Sequence, residues 1–240
     1  MSFKILCRDS IQWLQKQPNL SIPNFITGLP DMNELGANIS YDDYIDFFNK
    51  ASRLIFQKVK KDGYCIFIQT DRKYQGQLID KSYLLTSMAI QCGFKLVWHK
   101  IVCQRDIGKT DLFRPTYSHF LCYTIKGTPG KAFMDVLPVG DKLYENGTPY
   151  NAALSAAEFI TIQHKKQKNA ENDLPYDVVD PFVGQGTVGR VVLEVGLSFL
   201  GIDLLVEQCE KTQDLLEDTI KNLNIHENQN SYEKESKSTK

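Results

Sequence analysis

Residues 180 to 204 read DPFVGQGTVGRVVLEVGLSFLGIDL, and their types and spacing could hold a ligand that is both charged and rich in hydroxyls. Gly184, Gly186 and Gly189 follow the pattern G-x-G-x-x-G, the fingerprint of a strand-to-helix turn whose backbone approaches a dinucleotide. Glycine there lets the chain turn sharply and come close to a ligand with no Cβ in the way. Thr187 would open a helix whose first N–H groups lack an intrahelical acceptor and favour an anion. Asp203 would end the next strand, where its two oxygens can accept hydrogen bonds from neighbouring hydroxyls. The structural alternatives are a plain turn for the glycines and a helix cap for Asp203.

Such a turn needs strands and helices in alternation, and the chain supplies them. Short β-rich runs are expected at Phe3–Cys7, Asn24–Thr27, Tyr64–Gln69, Lys95–Cys103, His119–Ile125, Asp177–Val179 and Ser198–Ile202. Helical patterns are expected at Ser10–Lys16, Tyr41–Lys60, Lys81–Cys92, Asn151–Lys165, Thr187–Glu194 and Val206–Asn222. This reads as an α/β, Rossmann-like fold, with about seven strands, mostly parallel, under helices on both faces. The two long runs at Lys95–Cys103 and His119–Ile125 have no helix between them, so they are expected to pair antiparallel at one edge. Residues 1–225 form one expected domain, and 226–240 are expected to be a polar, disordered tail.

Composition narrows the function. With 240 residues, 42% of them hydrophobic, the chain can bury a full core. A net charge of -1 excludes a highly basic nucleic-acid clamp but allows a local basic face. The six cysteines (Cys7, Cys65, Cys92, Cys103, Cys122, Cys209) show no C-x-x-C and no histidine at zinc spacing, so they are read as reduced thiols and no metal is expected. No signal peptide is evident, and no apolar run approaches the ~18 residues of a membrane span. A cytoplasmic or nuclear protein is expected.

In a dinucleotide enzyme the glycine turn begins the fold, whereas here only one strand and one helix follow it. Asp180-Pro181-Phe182-x-Gly184-x-Gly186-Thr187 instead resembles the D-P-F-x-G-x-G-T motif of S-adenosylmethionine-dependent amino-methyltransferases of nucleic acids, in their circularly permuted (beta) class. FLGIDL resembles that class's next strand, FKILCRDSIQWLQK its opening segment and NFITGLPD its target loop, so the similarity runs to about residue 222 in permuted order. The resemblance implies a class I methyltransferase fold and S-adenosyl-L-methionine as cofactor. Its site would comprise Asp180, Phe182 as an apolar wall, Gly184, Gly186, Thr187, Asp203 on the ribose hydroxyls and Asp9 at the adenine edge. The structural alternative for Asp9 is a helix-initiating aspartate.

The target loop departs from the family. Where relatives have D/N/S-P-P-Y/F, this chain has Gly28-Leu29-Pro30-Asp31, so the side-chain acceptor and the stacking ring are missing and a carboxylate has appeared. Leu29, Pro30 and Asp31 are the candidate catalytic set. Asp31 reads either as an orienting group or base for the acceptor, or as a turn cap. Asp71, Arg72, Arg114 and Tyr117 are candidate substrate contacts, joined by Gln69 and Thr70 at a strand's carboxyl end. Arg105 and Lys109 could touch phosphates or be solvated loop residues, and Lys165–Lys168 reads as a solvated helix end. His99 reads as a satisfied strand histidine and Cys103 as a buried thiol.

Two function classes follow. The first is a methyltransferase acting on nucleic acid, RNA before DNA, by direct displacement from the sulfonium, with specificity from residues 104–118 and 126–150 or from a protein partner. The second is a methyltransferase-like subunit that binds cofactor or a partner without catalysis.

Overall fold

A computed structural model describes residues 2–36, 38–145, 147–164 and 174–238, with the backbone alone over 226–238. In chain order, β1 is Phe3–Cys7, α1 Ser10–Lys16, β2 Ile22–Thr27, α2 Tyr41–Lys58 and β3 Val59–Gln69. A hairpin of β4 (Arg72–Tyr74) and β5 (Gln77–Ile79) precedes α3 (Lys81–Gln91), β6 (Lys95–Cys103), β7 (Tyr117–Thr124) and β8 (Val136–Leu137). The chain closes with α4 (Tyr150–His164), β9 (Val178–Asp180), α5 (Thr187–Glu194), β10 (Phe199–Asp203) and α6 (Val206–Ser238).

The main sheet has eight strands in the order β1-β10-β9-β2-β3-β7-β6-β8. The first five run parallel, while β7 is antiparallel to both β3 and β6. The antiparallel pair lies toward one end of the sheet as expected, but the reversed strand is inside, with β6 beyond it and β8 parallel to β6 at the rim. Beta-period alternation sends neighbouring side chains to opposite faces. Thus Phe25, Cys65 and Leu121 pack with Leu14, Phe48 and Leu85 from α1, α2 and α3. Ile26, Ile66 and Cys122 pack with Ala153, Val191 and Leu216 from α4, α5 and α6.

Three helices start on side-chain caps that the sequence carries. Asp9, Ser40 and Asp80 accept the N–H of Gln12, Asp43 and Tyr83 respectively, which satisfies otherwise orphaned donors. The last helix differs from expectation. It continues past Asn222 to Ser238, across most of the stretch assigned to a tail. No glycine or proline follows Val206 to stop it. Among the described residues, no helix is long and apolar enough to cross a membrane. The cysteines are free thiols: Cys65, Cys122 and Cys209 are buried, and Cys7 is exposed. The basic run at 165–168 lies outside the described residues.

Candidate cofactor and target site

Five neighbouring parallel strands deliver the candidate residues to one rim. Asp9 follows β1, Asp203 ends β10, Asp180 ends β9, Gly28 follows β2 and Gln69 ends β3. Ligands of open parallel sheets sit at these carboxyl ends. A cavity of about 590 Å³ opens there, lined by both the glycine turn and the Gly28–Asp31 loop.

On the glycine side, Gly184 and Gly186 have φ of 55° and 87°, left-handed conformations that glycine adopts at little cost. Gly186 caps α5 with no side-chain hydrogen bond, so the first amides of that helix keep their capacity for an anionic group. A Cβ on Gly184 would stand 2.9 Å from the Tyr144 hydroxyl, which also accepts the Gln185 N–H at 3.3 Å. Tyr144 therefore roofs the turn, a role that nothing in its sequence surroundings announced. Asp203 accepts the N–H groups of Gly184 and Leu205, each at 3.0 Å and on separate oxygens. Each carboxylate oxygen has further lone-pair capacity, so the carboxylate is fixed in orientation while still able to take hydroxyls from the cavity. Phe182 lines the cavity and meets Phe47 edge-on at 6.0 Å. Asp9 lines it while capping α1 through the Gln12 N–H, the structural alternative. Thr187 also lines it.

Asp180 is buried beneath this turn. It accepts the Thr27 hydroxyl at 2.6 Å and the Phe182 N–H at 3.1 Å. Burial pushes its carboxyl up to about 7 despite those donors, with the Asp203 charge adding to the rise. In the folded state it therefore holds its proton between roughly pH 4 and 7, where an unfolded aspartate has lost it. Because the native state then binds more protons, stability falls as pH rises through that window. Asp180→Asn keeps the acceptor oxygen and removes the titration. The variant should match the wild type near pH 4 and exceed it in stability increasingly up to pH 7, with the gap constant above, as urea unfolding at each pH would show.

The target loop is braced on all sides. A Cβ on Gly28 would lie 2.9 Å from the Ile68 carbonyl oxygen, so the residue type that carries the family's acceptor is sterically disfavoured here. The buried Gln69 amide accepts the Leu29 N–H at 2.7 Å and donates to the Leu29 carbonyl at 3.0 Å. The Leu29 carbonyl thus already accepts one hydrogen bond, and the Pro30 carbonyl accepts the Tyr44 hydroxyl at 3.4 Å.

Asp31 is the most heavily engaged residue of the loop. Its Oδ1 takes the Lys81 ammonium at 3.0 Å and the Met32 N–H at 2.9 Å. Its Oδ2 takes Arg72 at 3.2 Å and Arg114 at 3.3 Å. It also forms a capping box with Glu34 over the short turn Met32–Glu34. Burial works to raise its carboxyl, but Lys81, the Met32 amide and Arg114 together hold it below the ordinary carboxylate range. A carboxylate stabilised in this way is a poor proton acceptor. The geometry favours the capping alternative, extended to a clamp, over the base role.

The other candidates divide. Arg114 lines the cavity, as do Gln69 and Thr70. Arg72 reaches the site only through Asp31. Asp71 and Tyr117 do not line the cavity. Asp71 accepts the Lys81 N–H at 2.9 Å and meets His119 Nε2 at 2.9 Å, and the Tyr117 ring packs edge-on against His119. His99 is an exposed strand residue whose Nε2 lies 2.9 Å from His119 Nδ1. Lys81, with its side chain 1% exposed, is the central residue that sequence reasoning missed. At the first position of a helix a lysine reads as solvated, and only its distance from Asp31 reveals its role.

This arrangement of strands, glycine turn and terminal acid defines the fold of class I methyltransferases in circularly permuted order, and the chain is similar to the S-adenosylmethionine-dependent nucleic-acid enzymes of that type. In sequence it is 23% identical over 241 aligned residues to the type II methyltransferase M.HpaI of Haemophilus parainfluenzae, covering 90% of this chain and 75% of that one. In structure it matches TTHA0409 of Thermus thermophilus, solved with S-adenosyl-L-methionine, with a TM-score of 0.66 and 15% identity over 92% of this chain and 96% of that one. It also matches the PvuII DNA methyltransferase (cytosine-N4-specific) with a TM-score of 0.61 and 17% identity over 92% and 93%. No protein-family model matches the chain.

Proposed function

We propose that this protein is an S-adenosylmethionine-dependent methyltransferase acting on nucleic acid. The observation that carries the reading is the shared cavity, in which the glycine turn, Asp203 and the Gly28–Asp31 loop face one space. In it the α5 amides suit the carboxylate of the cofactor, Asp203 its ribose and Phe182 an apolar portion. When bound, the cofactor supplies an electrophilic methyl group: the acceptor's lone pair forms the new bond as carbon–sulfur bonding electrons pass to sulfur, and a proton leaves the acceptor. Arg114, which lines the cavity, would orient the acceptor in line with that methyl, on a loop fixed by Gln69 and the Asp31 clamp.

The name of the PvuII DNA methyltransferase favours DNA as the acceptor polymer over the RNA expected from sequence. The lack of a side-chain acceptor at Gly28 and of a stacking ring at Asp31 favours a nucleophile other than the exocyclic amino group. Transfer of tritiated methyl to unmodified DNA and to RNA, each followed by nucleoside analysis, tests this. We expect label in DNA, reduced in the Asp203→Ala variant at limiting cofactor. Label in RNA alone would return the polymer to the sequence-based expectation, and label in neither would support the second class, a cofactor-binding subunit without catalysis.

A further inference from the structure

Outside the cavity, Asp71, Asp80 and His119 bring three ligand-type atoms within 4.8 Å of one another. We propose that they form a site for a divalent transition-metal ion, Zn²⁺ or Mn²⁺, held by one imidazole and two carboxylates. Asp71 follows β3, Asp80 caps α3 and His119 lies on β7. Such scattered positions carry no motif.

The geometry has three parts. His119 Nε2 and Asp71 Oδ2 stand 2.9 Å apart as a hydrogen-bonded pair, so loss of the shared proton would leave two donor atoms side by side for one ion. Both side chains are held from behind. Asp71 Oδ1 accepts the Lys81 N–H, and His119 Nδ1 meets His99 Nε2, the kind of outer contact that fixes the tautomer of a metal-binding histidine. Asp80 completes the set from the surface. Its Oδ1 accepts the Tyr83 N–H and the Ser82 hydroxyl at 2.9 and 2.7 Å. Its exposure gives an ion a way in.

Charge points the same way. Among the described residues, neither Asp71 nor Asp80 makes an ion pair with a lysine or arginine; His119 is the partner of Asp71. The Lys81 ammonium is near enough to feel Asp71 but is engaged by Asp31. Two carboxylates and one imidazole are a donor set for Zn²⁺ or Mn²⁺, since nitrogen ligation is less suited to Mg²⁺ or Ca²⁺. An ion here would tie the ends of β3 and the start of α3 to β7. The residues next in chain to Asp71 and Asp80 are Arg72 and Lys81, which hold Asp31, so the ion would brace the target loop from outside the cavity.

Calorimetric titration of the full chain with Zn²⁺ and with Mn²⁺, Mg²⁺ serving as control, tests the site. One ion should bind per chain, and Asp80→Asn and His119→Gln should each weaken binding tenfold or more. Asp80→Asn keeps a good helix cap and so decides the matter even if His119→Gln fails to fold. In a Co²⁺ titration, the visible absorption of the bound ion should change in His99→Ala. Absence of stoichiometric binding of both ions, or Asp80→Asn binding as the wild type does, would overturn the proposal.

Discussion

Replacing Asp31 by asparagine is expected to lower the unfolding free energy by about 3–5 kcal/mol, the usual cost of removing one partner from a buried ion pair. The Lys81 ammonium is almost wholly removed from water, and Asp31 is the carboxylate that contacts it, at 3.0 Å. Burial depresses the Lys81 pKa and Asp31 restores part of it. Without Asp31, the lysine must either stay charged without a direct partner or lose its proton. Arg72 and Arg114 would be left facing it, adding like-charge repulsion. Their partial exposure makes their share of the loss small. The double variant Asp31→Asn with Lys81→Met should recover much of the stability, because it removes both buried charges together. Urea unfolding of the three variants measures this. A single variant within 1 kcal/mol of the wild type would show that the clamp contributes little.

The same pair sets a pH dependence. The folded carboxyl of Asp31 lies below its unfolded value, so its contribution is fully present above about pH 4 and is lost as pH falls through the folded value. Asp180 acts in the opposite sense between pH 4 and 7. Acid unfolding should therefore be delayed in Asp31→Asn relative to its own neutral-pH stability, because the group that loses the contribution is gone.

Elements with strong local signals were legible in the sequence. The bounds of β1, β6, α1 and α5 coincide with the expected ones, since their apolar patterns are clear and the helices among them carry a cap or a glycine at their start. Strands β4, β5 and β8 have two or three residues each, too few to show a period. The inner position of β7 depends on which edge of β3 is free, which pattern along one chain does not encode. Within the site, the glycine turn and Asp203 were readable because motif, order and strand ends agree. The clamp around Asp31 was not, because Lys81 and Arg114 lie 50 and 83 positions away in a 240-residue chain. Gln69 was visible as a pocket candidate, but its double hydrogen bond to Leu29 appears only in three dimensions.

Replacing Asp203 by alanine is expected to weaken S-adenosylmethionine binding ten- to a hundredfold, the equivalent of about 1.5–3 kcal/mol for hydrogen bonds to a charged acceptor. The carboxylate is already oriented by two backbone amides, so little ordering cost would oppose the bonds proposed for it to ribose hydroxyls. The loss of its contact with Gly184 also frees the glycine turn. Part of the effect should then appear as a faster dissociation rate, with a circular dichroism spectrum like that of the wild type. An unchanged affinity in a folded variant would remove Asp203 from the site.

Isothermal titration of the wild-type chain with S-adenosyl-L-methionine and, separately, with a nicotinamide dinucleotide tests most directly the claim that this cavity is a methyltransferase cofactor site. Saturable binding of S-adenosyl-L-methionine at one site, weakened in Asp203→Ala, with no heat from the dinucleotide, is the expected result. Binding of the dinucleotide with none of S-adenosyl-L-methionine would contradict it.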